Sequence, residues 1–136
     1  MAILAAPLLI VQTTAWAVWT DASVASANYT TATLAPPTGP ATVAGLCVAL
    51  VSDQIKVSWT ATASTWAYGY EVARSTTSGG PYTLVGTVVG QAITEYLDTS
   101  LPFSTTYHYV VRAIKNNWRS AYTAQVSRTT RSITCL

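Results

Sequence analysis

Leu101-Pro-Phe-Ser-Thr-Thr-Tyr107-His-Tyr-Val-Val-Arg112-Ala113 decides the fold of this chain of 136 residues. Tyr107, Tyr109, Val111 and Ala113 recur at every second position, so a strand from Thr106 to Ile114 turns them all to one face. Lys115-Asn116-Asn117 then makes a turn into a last strand, Ser120 to Thr130. Upstream the same grammar repeats. Ile93 to Leu97 reads as a short strand, and Tyr82 to Val88 as another, set off by Ser78-Gly79-Gly80-Pro81 before it and Gly90 after it. Tyr68, Tyr70 and Val72 alternate with Gly69, Glu71 and Ala73, while Ile55, Val57 and Trp59 alternate with Lys56, Ser58 and Thr60. Leu46 to Val51 alternates more weakly and is expected to be the first strand. The result is seven short strands at nearly regular spacing, with no helical period after Ala41. That is the signature of an all-β sandwich.

Composition agrees. Half of the residues are apolar and 9% are charged, which excludes a disordered or solvating chain. The net charge of +2 comes from seven scattered Lys and Arg residues with no run among them. A nucleic-acid partner requires a clustered basic face, so none is expected.

Residues of about 42–130 resemble the fibronectin type III domain, over roughly two-thirds of the chain. The resemblance rests on Trp59 in Ile55-Lys-Val-Ser-Trp59, on Tyr70-Glu71-Val72, on Gly79-Gly80-Pro81-Tyr82, and most of all on the Leu101, Pro102 and Tyr107 spacing. It implies a seven-stranded immunoglobulin-like sandwich with Trp59, Tyr70, Leu101 and Tyr107 in its core. It also implies that Tyr107 forms a corner, its hydroxyl bonded to upstream backbone. The fold hosts many roles and by itself assigns none.

The remaining chain divides into an apolar segment (1–20), a Ser/Thr/Pro linker (21–41) and a short tail (131–136). Three prolines in Pro36-Pro37-Thr38-Gly39-Pro40 stiffen the linker and mark the boundary of the domain. Met1 to Val11 is almost wholly apolar, and no Lys or Arg occurs before Lys56. Three readings stay open for this segment. It has the apolar core of a secretory signal, with Ala15-Trp16-Ala17 as a small-x-small cleavage pattern. Residues 1–19 are marginal for a membrane contact or span, being interrupted by Pro7, Gln12, Thr13 and Thr14. Alternatively Leu8, Leu9, Ile10, Val11, Trp16 and Trp19 pack against other subunits. Ala15 to Asp21 and Ser23 to Leu34 also resemble the start of exported fibre proteins of the TasA and camelysin group, which a SipW-type signal peptidase processes. That resemblance implies a fibre subunit. Asn28-Tyr29-Thr30 fits the glycosylation sequon, a pattern short enough to arise by chance.

Cys47 and Cys135 are the two cysteines, and in an exported chain they invite one disulfide within the chain. The tail beyond the last strand must then fold back along the first; a bond between chains, or free thiols, is the alternative. Catalytic chemistry finds no footing. His108 lies on a strand among core positions, and no Ser or Cys nucleophile has a base with an orienting group. Asp21, Asp53, Glu71, Glu95 and Asp98 form no motif and no metal-ligand set. No enzyme, no metal and no cofactor is therefore expected.

Binding has a better candidate. In a sandwich of this type the loops after the second and sixth strands emerge at one pole. Trp66, Tyr68, Asn116, Asn117, Trp118 and Arg119 then meet there. Trp, Tyr and Arg dominate protein contacts, and Trp platforms also hold sugar rings. The competing reading has Trp66 and Trp118 merely capping the core or packing on each other. Two functions follow. One is a subunit of an extracellular or cell-surface filament, polymerising with itself through the N-terminal segment; the other is a secreted or anchored module for protein or carbohydrate.

Overall fold

The computed structural model describes residues 32–136. Among these residues there are eight strands: β1 (Thr38–Ala44), β2 (Asp53–Thr60), β3 (Gly69–Ser75), β4 (Thr83–Val89), β5 (Glu95–Leu101), β6 (Thr106–Lys115), β7 (Trp118–Arg119) and β8 (Val126–Thr129). β1, β2 and β5 form one antiparallel sheet in that order. The second runs β4-β3-β6, with β7 and β8 following each other along the free edge of β6. These are two facing layers of a sandwich.

The alternation of β2 is realised in full. Ile55, Val57 and Trp59 are buried, while Lys56 and Ser58 between them are part-exposed. They meet Tyr70 and Val72 of β3, Leu101 of β5 and Tyr107, Tyr109, Val111 and Ala113 of β6 in one core. Trp59 and Tyr70 stack edge to face at 5.2 Å between ring centroids, a favoured aromatic geometry. The Trp59 indole N–H is buried without a partner among the described residues, a local cost that the large apolar body of the ring offsets.

Four expectations need correction. The first strand is Thr38–Ala44 and not Leu46–Val51. Pro40 obscured it, but β1 is an edge strand whose register shifts between Thr38 and Ala41, and an edge beside an irregularity is where a strand accepts proline. Leu34 and Pro37 join the buried set as well, so the sandwich reaches back into the stretch read as linker. Leu46–Val51 instead belongs to a tight turn, bridged between Val48 and Ser52, with most of its aliphatic side chains in solvent.

The last strand is broken, and its interruption has a chemical cause. Ser120 Oγ accepts the Ala113 N–H at 2.9 Å, and Thr123 Oγ1 accepts the Val111 N–H at 3.1 Å. Hydroxyls thus take ladder positions that backbone carbonyls would otherwise fill. The fifth strand starts at Glu95 instead of Ile93, because Ile93 is still tied into a turn by its N–H to Gly90 O. Finally, Tyr107 is buried, but among the described residues its hydroxyl makes no hydrogen bond to upstream backbone. The Arg74 guanidinium, held by Asp98 at 2.7 Å, lies over its ring 4.8 Å from the centroid.

The disulfide between Cys47 and Cys135 is present, and the tail does fold back. Arg131 carries it. Its guanidinium reaches Asp53 Oδ1 at 2.6 Å and the Gly45 carbonyl at 2.7 Å, and its backbone N–H gives a further bond to Asp53 Oδ2 at 2.7 Å. The Arg131 side chain, against the opposing effect of burial, holds the Asp53 carboxyl down at about 2.

Candidate binding site at the aromatic pole

Each loop of the pole is fixed from below. Tyr70 reaches out of the core, donating from its hydroxyl to Gln91 O at 2.7 Å and accepting the Thr62 N–H at 3.1 Å. Gln91 Nε2 closes the circuit by donating to Thr62 O at 3.0 Å. Thr62 Oγ1 then donates to Ala35 O at 2.5 Å, and Ser64 Oγ accepts the Ala35 N–H at 3.0 Å. The Ala67 N–H to Ser64 O bond of 2.9 Å makes a turn that lifts Trp66 to its apex.

Trp118 arrives from the other side. Asn116-Asn117 is a two-residue hairpin between paired Lys115 and Trp118, with Asn116 at φ 51°. Asparagine tolerates that left-handed conformation, so this residue type suits the turn. The two indoles meet edge to face, 5.8 Å apart at 83°. They pack on each other yet stay open to solvent, Trp66 at 37% and Trp118 at 53% exposure. Beside them lies an apolar groove of about 470 Å³, lined among the described residues by Ala32, Trp66, Lys115, Asn116 and Trp118.

The sequence expected six residues here, and the structure gathers only some. Trp66, Trp118 and Asn116 line the groove. Tyr68 is exposed, with its N–H bonded to Ile114 O, and is not a lining residue; neither is Asn117. Arg119 pairs with Glu71 Oε1 at 3.0 Å and donates to the Asn116 carbonyl at 3.3 Å, and it is not a lining residue. Glu71 is buried and also takes Arg112 at 2.7 Å, so its two cations make it a structural anion. Sequence reading missed Lys115 and Ala32. Lys115 pairs across the hairpin with Trp118, and that register was the available signal; nothing in the sequence singled out Ala32.

Chemistry elsewhere is occupied by structure. Each carboxylate of the described residues sits in an ion pair: Asp53 with Arg131, Glu71 with Arg112 and Arg119, Asp98 with Arg74, and Glu95 with Lys56 at 3.3 Å. Asp98 also accepts the Tyr109 hydroxyl at 2.7 Å. Burial first, and that bond second, push the Tyr109 hydroxyl well above its ordinary range. His108 Nδ1 lies 3.0 Å from Gln125 Nε2, a side chain that also binds Gly79 N and Tyr82 Oη. Among the described residues no cluster of three or more His, Cys, Asp or Glu is placed to hold a metal ion. Leu8, Leu9, Ile10, Val11, Trp16 and Trp19, the glycosylation sequon and most of the stretch that resembles exported fibre proteins lie outside the described residues.

Solved structures supply the family. A Fn3-like protein from Clostridium thermocellum is 33% identical, with a TM-score of 0.59, over 71% of this chain and 92% of that one. The chain belongs to the fibronectin type III family. The fn3 domain of human collagen alpha-1(XX) shares the fold at 24% identity and a TM-score of 0.57, over 74% of this chain and 89% of that one. A further human fibronectin type III domain does so at 24% identity and 0.52, over 73% of each chain. No family model and no curated protein matches the sequence. Fibronectin type III domains are generally extracellular modules that bind or build, and are typically non-catalytic.

Proposed function

We propose that this fibronectin type III domain is a non-catalytic structural subunit of an extracellular filament, with the aromatic pole as a subunit contact. One observation carries the reading: two indoles, locked edge to face, bound an apolar groove while remaining substantially exposed. Exposed Trp side chains on a rigid support are the residue type and setting that dominate protein contacts. The apolar segment of residues 1–20, with Leu8, Leu9, Ile10, Val11, Trp16 and Trp19, is a second contact in this proposal. Buried between subunits, a segment of that size contributes roughly 10 kcal/mol before ordering costs.

The test is Trp66→Ala with Trp118→Ala in the full chain. Electron microscopy and sedimentation should show lost assembly while melting stays cooperative. Unchanged fibres, or no fibres from the unaltered chain, would sink the filament reading.

A second reading is favoured by the groove's polar rim. Lys115 and Asn116 beside the indoles suit a sugar ring, which needs an apolar face and hydrogen-bond donors around it. Retardation of the chain in gels containing a soluble polysaccharide, lost in the double variant, would support that module instead.

A further inference from the structure

The end of the sandwich opposite the aromatic groove carries an aliphatic knob, formed by loop 45–52 and tail 131–136. Leu46, Leu50 and Val51 are 65%, 77% and 71% exposed, and Val48 and Ile133 are about half exposed. A concentration of aliphatic surface on a small module marks a contact site. This knob is also rigid. The Cys47–Cys135 disulfide ties loop to tail, the Leu50 N–H bonds Ile133 O at 3.1 Å, and Arg131 clamps Asp53 and Gly45 beneath them.

Leu50 is a second, independent pointer. It is the third residue of a β-turn closed by the Val51 N–H to Val48 O bond of 3.0 Å, and its φ is 66°. That position favours Gly or Asn, because a Cβ is disfavoured in the left-handed region. A leucine there goes against the backbone preference and places its side chain in water. Local rules broken without a local gain point to a role for that side chain.

We propose that the knob of one copy seats in the Trp66–Trp118 groove of the next, joining copies head to tail. The inference rests on the reading of the aromatic pole as a contact surface and names its partner. A groove of about 470 Å³ is of the size that takes a drug-sized apolar ligand, and so accommodates Leu50 and Val51 together. The charges agree. Asp53 and Arg131 neutralise each other at the base of the knob, so this pair brings no net charge to the groove, and the long Lys115 side chain in the groove wall can keep its ammonium at the wet rim.

Geometry makes the contact one between copies. β2 starts at the knob with Asp53 and ends at Thr60 beside the Trp66 loop, and β6 runs the same way from Thr106 to Lys115. Eight residues of extended strand span about 26 Å, so a rigid knob does not reach the groove of its own chain. A contact between two different patches is heterologous, and its repetition builds an open line of subunits. Two small patches of this kind fall short of the roughly 800 Å² per partner of a standard specific interface. A single joint is therefore weak, and association rises with concentration.

The experiment uses full-length chain in analytical ultracentrifugation over a concentration series. One variant, Leu50→Asn with Val51→Thr, blunts the knob; the other, Trp66→Ala with Trp118→Ala, removes the groove. The unaltered chain should climb well above the 14.4 kDa of one copy, and each variant alone should associate only as far as segment 1–20 carries it. Their 1:1 mixture should associate further than either variant alone, by one joint for each pair of chains, because one supplies only a groove and the other only a knob. A mixture that associates no further than its two components overturns the proposal, as does a knob variant that assembles like the unaltered chain. Should the groove variant fail to melt cooperatively, Trp118→Lys takes its place. Polysaccharide or segment 1–20 bound by the knob variant as by the unaltered chain, with no head-to-tail complex in the mixture, would keep the pole as a site. It would sink only the knob as its occupant.

Discussion

The two ends of this sandwich are held in opposite ways. At the knob the loop has little core to stand on: Leu46, Leu50 and Val51 point into solvent. Its order comes from a disulfide and from a buried carboxylate gripped by an arginine. At the aromatic pole no covalent tie is present among the described residues. The loops are instead hung from the core by Tyr70, Thr62, Gln91 and Ser64, a neutral hydrogen-bond circuit. Apolar side chains can be displayed outward only where something else holds the backbone, and each end solves that problem with different chemistry.

Breaking the covalent tie should cost most. Replacing Cys47 and Cys135 by serine opens a loop with a sequence separation of 88, and chain entropy sets the loss at about 4 kcal/mol. Urea titration followed by intrinsic fluorescence measures it, and reductant should reproduce it in the unaltered chain. Neither change should weaken ligand or subunit contacts made solely at the indole pair.

Asp53→Asn comes next. It removes the charge that Arg131 grips through several bonds, and about 2 kcal/mol is expected from charge-assisted hydrogen bonds of this kind. The pH dependence has a defined sign. Because the folded carboxyl lies at about 2 and the ordinary value is 3.8, the unfolded chain takes up its proton first as acid is added. The stabilisation is complete above about pH 5, shrinks as the pH drops past the ordinary value of 3.8, and is lost as it falls through 2. Screening at the partly exposed Arg131 limits this ionisation-linked share to about 1 kcal/mol. Melting temperatures between pH 5 and pH 2 should fall more steeply for the unaltered chain than for Asp53→Asn.

The contrast between the ends also explains what the sequence made legible. β2, β3 and β6 were plain because their alternation reports a face packed on the core, as with Ile55, Val57 and Trp59 or Tyr107, Tyr109 and Val111. β1 was missed because an edge strand buries little; its side chains are mostly exposed, and Pro40 suggested a linker. Leu46–Val51 was misread for the converse reason: aliphatic residues there satisfy no core, and periodicity cannot tell a displayed residue from a buried one. Trp66 and Trp118 were placed at one pole by topology alone. That Arg119 would pair with Glu71 depended on a buried carboxylate across the sheet, which no local pattern encodes.

Trp118→Ala sharpens the comparison from the other end. With half of the ring in solvent, its removal forfeits mainly the edge-to-face contact with Trp66, about 1 kcal/mol. Calorimetry should show a drop in melting temperature far smaller than that of the disulfide variant. A loss as large as several kcal/mol would mean that the indole pair caps the core and that the pole is not built for display.

Leu50→Asn has the smallest expected effect and the opposite sign. At φ 66° a leucine is strained by its Cβ, whereas asparagine enters that region readily. The side chain is 77% exposed, so little packing is lost on replacing it. The variant should therefore be more stable than the unaltered chain, by about 0.5 kcal/mol on the scale of compatible turn substitutions. Denaturant midpoints resolve a difference of that size when the slope is unchanged. A destabilised variant would show that Leu50 packs on its own chain, and would remove the reason for treating the knob as a surface held out for another molecule.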